Sequence, residues 1–156
     1  MKKYFFTLLL SLFMFNAVAA QQYEATLGNV YSKYLTLKNA LVADDGDGAA
    51  KAADEFIKAA SMVNYRTLSE GNLDLLRQEA TVIAESRSIE KQRAAFHKLS
   101  DNMVRLTKKF KLAQQPIYIQ YCPMAKAQWL SSEKAVRNPY YGSSMLTCGS
   151  VTAELK

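Results

Sequence analysis

The chain has 156 residues, a formal net charge of +6, two cysteines, one histidine and a hydrophobic fraction of 49%. That length suits one domain with a real core. The mildly basic balance does not argue for nucleic acid: the cluster Arg105, Lys108, Lys109, Lys111 has no interleaved aromatics to stack bases and reads as a solvated helix face.

The first twenty residues follow the plan of a secretory signal peptide. Lys2 and Lys3 give a positive start, Tyr4 to Phe15 is almost wholly apolar, and Asn16-Ala17-Val18-Ala19-Ala20 offers small residues for cleavage after Ala19 or Ala20. The apolar run is too short for a membrane helix, which needs about 20 residues. No cysteine sits near the cleavage site to take a lipid. The expectation is a periplasmic protein of residues 21–156, not embedded in a membrane.

Four helical stripes follow. Leu27, Val30, Tyr34, Leu37 and Leu41 recur at spacings of three and four, which puts them on one face of a helix. Asp44-Asp45-Gly46-Asp47-Gly48 reads as a break. Its spacing fits no EF-hand register, so it is read as a plain turn rather than a calcium loop. Ala49, Ala53, Phe56, Ala60 and Val63 resume the stripe, with Met62 assigned to the core among them. After a second break at Asn64 to Gly71, Leu73, Leu76, Ala80 and Ile83 mark a third helix. Ser88 is a candidate N-cap for a fourth, striped by Phe96, Leu99, Met103, Leu106 and Phe110. Short loops between such helices favour antiparallel neighbours. The predicted fold is therefore mainly α, an up-and-down bundle of about four helices with a small β-containing C-terminal segment.

That segment, residues 114–156, differs in character. Ile117 to Tyr121 is β-branched and aromatic and reads as a strand. Period-two alternation would turn Ile117, Ile119 and Tyr121 to the core and Gln120, Cys122 and Met124 the other way. Pro123 places this pair at a strand end or edge. A short helix is expected around Ser132 to Val136, and Trp129 is expected to anchor packing.

The soft ligands gather here. Cys122 and Met124 lie two residues apart, and Met145 and Cys148 three apart, so one helical or 3₁₀ turn would put the second pair on one side. Brought together, the two segments would make a four-sulfur site. Thiolate and thioether select a soft ion such as Cu(I), whereas zinc prefers cysteine and histidine. His97, the single histidine, could add a nitrogen. The rival reading is a disulfide, which two cysteines in an exported protein most often form. Closing a loop of about 26 residues would add roughly 3.5 kcal/mol in the chain-entropy picture. An exported haem bundle is a further alternative, but it lacks the C-x-x-C-H attachment motif.

The strings Tyr118 to Met124, Trp129-Leu130-Ser131, Asn138 to Gly142 and Met145 to Gly149, with Gln92-Arg93, Phe96 and Leu99-Ser100-Asp101 upstream, resemble the bacterial domain-of-unknown-function family 3347. The resemblance is read over roughly Val30 to Val151. It implies a periplasmic domain, alone or attached to adaptor subunits of heavy-metal efflux systems, with an inferred role in copper handling. Carried over, Cys122, Met124, Met145 and Cys148 are the candidate ligands, and His97 is less firmly matched. The expected function is a non-enzymatic Cu(I) chaperone or buffer whose partners are the metal ion and an efflux adaptor. The alternative is a disulfide-stapled interaction module. No nucleophile–base set or phosphate-binding glycine loop is visible.

Overall fold

The computed structural model describes residues 23–156; the expected leader lies outside them. Four helices come first: α1 (Ala25–Val42), α2 (Gly46–Ser61), α3 (Glu70–Glu85) and α4 (Ile89–Thr107). Three strands follow: β1 (Ile117–Cys122), β2 (Ala127–Ser131) and β3 (Ser150–Leu155), with a 3₁₀ turn at Gly142–Met145 before β3. The helices form a bundle, and the strands form one antiparallel sheet in the order β2-β1-β3. Among the described residues no helix is long and apolar enough to cross a membrane.

The helical stripes became the core. Leu27, Val30, Tyr34, Leu37 and Leu41 of α1 are buried, as are Ala49, Ala53, Phe56 and Ala60 of α2 and all four stripe residues of α3. The small alanines let α2 approach its neighbours closely, while Phe56, Phe96 and Trp129 fill the larger spaces. Ser88 caps α4, its hydroxyl accepting from the Lys91 N–H at 3.3 Å.

Three expectations need correction. Asp44 to Gly48 is not all loop: Asp45 caps α2 by accepting from the Gly48 N–H at 2.8 Å, so the helix already starts at Gly46. Met62 is 75% exposed, because it is the cap residue beyond the last turn of α2. Ser132 to Val136 is not helical. The Gln120 side-chain amide reaches the carbonyls of Glu133 at 2.9 Å and Ala135 at 3.1 Å, giving these backbone groups a tertiary partner instead of a helical one.

Two polar residues of α4 fasten the ends of the bundle. Gln92 is fully buried, and its amide donates to the carbonyls of Gly46 and Ser86, each at 2.9 Å. Arg93 donates to the carbonyls of Leu41 and Pro139, each at 2.9 Å, and pairs with Asp44. Bundle and sheet meet at Tyr34. Its hydroxyl pairs with Ser100 of α4 at 2.7 Å and accepts from the Leu130 N–H of β2 at 3.1 Å.

Candidate metal centre

β1 and β2 form a hairpin in which Cys122 stands opposite Ala127 and Gln120 opposite Trp129. Pro123 to Lys126 make the turn, closed by the Lys126 N–H to the Pro123 carbonyl at 3.3 Å, with Lys126 in the left-handed region. Ile117 is buried as expected, but beyond the irregularity in the β3 pairing between Ile119 and Gln120 the facing of β1 departs from expectation. Gln120 and Cys122 are buried and Tyr121 is 38% exposed. The cause is Trp129: its fully buried ring takes the core-facing side of β2 and brings its cross-strand neighbour Gln120, and hence Cys122, to the same side.

Cys148 arrives from the other direction. The segment from Asn138 to Gly149 is held in place by its own polar groups. Fully buried Asn138 donates its side-chain amide to the Cys148 carbonyl at 2.8 Å and accepts from the Tyr140 N–H at 2.8 Å. Its backbone N–H meets the Leu146 carbonyl at 2.8 Å. Tyr140 donates its hydroxyl to the Gln128 carbonyl at 2.7 Å and packs edge-on against Trp129. Gly149 then turns with φ of +137°, where a Cβ would lie 2.8 Å from the Tyr121 carbonyl oxygen and 3.1 Å from the Trp129 ring. Glycine is required on both counts.

The result is a close pair of thiols. The sulfurs of Cys122 and Cys148 are 2.9 Å apart, and neither is in a disulfide. Cys122 is buried and Cys148 partly exposed. Burial works against ionising Cys122. The Cys148 thiol, the Ala125 N–H, the Asn138 side chain and the Met124 N–H directed at its sulfur overcome that and bring its pKa below the usual thiol value. Cys148 shifts up, because it shares its proton with Cys122, is partly desolvated and stands beside the charge that Cys122 carries. Of the two thiols, Cys122 is therefore the more easily ionised.

The other expected ligands are placed differently. The Met124 backbone lies against both sulfurs, but its side chain is 64% exposed. Met145 is 38% exposed, one turn from Cys148, whose N–H meets the Met145 carbonyl at 3.0 Å. His97 sits on α4, with its ring edge-on to Tyr140 and Nε2 3.7 Å from the Asp101 carboxylate. No hydrogen bond joins it to either thiol among the described residues. Nor do three or more His, Cys, Asp or Glu side chains gather there in a metal-holding group. The structure therefore brings Cys122 and Cys148 together, sets two methionines in solvent in the same segments, and leaves His97 facing Asp101.

Asn138 and Gly149 build this arrangement without having been singled out as site residues. Their only trace in the sequence is membership of the strings that carry the family resemblance. A family described as Protein of unknown function (DUF3347) matches residues 30–115. The chain belongs to this family. The matched region is the helical bundle, and it ends before β1. The DUF3347 assignment thus rests on the helices, and both sulfur-bearing strings lie beyond it. No curated protein and no solved structure matches the chain.

Proposed function

We propose that this DUF3347 protein is an exported, non-enzymatic binder of Cu(I) that serves as a periplasmic chaperone or buffer and passes the ion to an efflux adaptor. The observation that carries the reading is the Cys122–Cys148 pair, two sulfurs 2.9 Å apart with the Cys122 thiol brought below its usual pKa. Two soft anionic sulfurs are a sufficient ligand set for Cu(I). Zinc would need a fuller Cys/His set in a tetrahedral site. Met124 and Met145 supply thioethers from the same two segments and would complete a four-sulfur set by folding over the pair. In a four-sulfur set with tetrahedral angles and zinc-like bonds, two thiolates would sit about 3.7 Å apart, so from 2.9 Å the sulfurs would separate by under 1 Å.

The same pair favours a second reading. Two cysteines 2.9 Å apart need a comparable approach to form a disulfide, with loss of two protons and two electrons to an oxidant. The chain would then be a stapled interaction module.

Thiol titration of anaerobically purified protein separates the two. The metal reading expects two free thiols that are lost on adding one equivalent of Cu(I), in competition with a Cu(I) chelator. Trp129, the single tryptophan, lies 3.1 Å from where a Cβ would project at Gly149, next to Cys148, and its fluorescence should quench in step. No free thiols in the isolated protein, and no Cu(I) uptake after reduction, would leave the disulfide reading standing alone.

A further inference from the structure

α3 buries four of its sixteen residues and exposes two large apolar ones, Leu75 at 48% and Val82 at 54%. They lie seven residues apart on one face, with Gln78 and Glu79 between them at helical spacing. Lys91, Ala94, Ala95 and Lys98 repeat that spacing on α4. The two faces line one groove along the α3–α4 seam, about 570 Å³ in volume. Leu75 also lines the neighbouring hollow of about 320 Å³, where Asn102, Arg105 and Leu106 continue the α4 wall. From Lys91 to Arg105 the groove runs about 21 Å, four helical turns, at the usual rise per residue.

Its charge is one-sided. Lys91 and Lys98 line the first hollow and Arg105, Lys108 and Lys109 the second. None of the five forms an ion pair among the described residues. The one acid in either wall, Glu79, is held by the Asn102 amide at 3.0 and 3.1 Å. The groove shares no lining residue with the thiol pair.

We propose that this groove docks a helix of a partner protein carrying an apolar stripe flanked by acidic residues. The apolar residues form the walls of a concave channel with small alanines between them, a shape that accepts a helix stripe. A membrane-binding face would instead project its apolar residues. A second copy of the same face would set one cationic rim against another.

The test uses two labelled synthetic helical peptides of about four turns with the same leucine stripe, one flanked by glutamates and the other by lysines, followed by fluorescence anisotropy. The glutamate peptide should bind saturably, at least about tenfold tighter than the lysine peptide, and weaken as salt rises. Leu75→Glu with Val82→Glu should weaken it about tenfold or more at unchanged melting temperature, since both side chains are exposed. Lys98→Glu with Arg105→Glu should shift the preference toward the lysine peptide. Equal binding of the two peptides, or no saturation by about 1 mM, overturns the proposal. So does binding to anionic phospholipid vesicles that the glutamate peptide does not compete with, or a dimer in sedimentation that the Leu75/Val82 variant dissolves.

Discussion

Asn138 donates its buried side-chain amide to the backbone carbonyl of Cys148 at 2.8 Å, while the same amide group accepts from Tyr140. One side chain thereby closes the loop that carries the second thiol and fixes where that thiol sits. Asn138→Ala leaves both groups without their partner inside the protein. It should cost about 1–3 kcal/mol in urea unfolding and lower Cu(I) affinity by loosening Cys148. Unchanged stability would show that the loop is held by its other bonds, those of Tyr140, Arg93 and Asp44 among them.

Gly149→Ala should be as damaging for a different reason. A methyl group there meets the Tyr121 carbonyl oxygen at 2.8 Å, on a backbone with φ of +137°. Strain of about 1–3 kcal/mol is expected, together with a changed Trp129 emission even without metal. Differential scanning fluorimetry reads both.

Tyr34→Phe removes the acceptor of the Leu130 N–H and the partner of Ser100 at the junction of bundle and sheet. The buried N–H is then unsatisfied, and the expected loss is about 1–3 kcal/mol. Ser100→Ala, which leaves the Leu130 bond in place, should cost less. A double-mutant cycle should show the two effects to be non-additive.

Asp44 gives an acid limb. The Ser143 hydroxyl, the Arg93 guanidinium and the Ser143 N–H hold its carboxyl down at about 2. Its folded pKa lies below the unfolded value of about 4. Its contribution is therefore full above about pH 4 and is lost as pH falls toward 2. Asp44→Asn should flatten that part of the profile of melting temperature against pH and leave the neutral region lower throughout. A profile identical to that of the wild type would remove Asp44 from the account.

Met124→Ala should weaken Cu(I) binding, measured by chelator competition, without lowering the melting temperature, because the side chain is 64% exposed. A collapse in melting temperature at unchanged affinity would assign Met124 a packing role.

The helices were legible because burial on one side of a 3.6-residue period leaves a clear stripe; the stripe residues from Leu27 to Leu106 are all buried. β1 was legible as a strand, but in its facing only at Ile117. Hydropathy favours Ile119 and Tyr121 for the interior, yet Gln120 is the buried residue, because its amide finds carbonyls on the loop after β2 and its neighbour Trp129 needs the core. Such pairings join distant segments and leave no local period. Cys122 and Cys148 could be expected to meet from residue type alone. Asn138, which arranges the meeting, could not, since its role exists only once the loop is closed. The resemblance lies chiefly in the sulfur-bearing strings, whereas the family match covers the helices, with Gln92 and Arg93 fastening the bundle ends.

β1 is the central strand, bonded on both sides, whereas β3 is an edge strand bonded to β1 alone. Cys122 ends the central strand, paired across to Ala127 of β2 alone, and Cys148 stands two residues before β3. Peeling β3 away would leave both sulfurs where they are, because Cys148 is tied through its own carbonyl to Asn138 and not through the strand that follows. Amide exchange across Ser150–Leu155 is therefore expected to run ahead of exchange in β1, with the thiol pair intact while the edge strand frays.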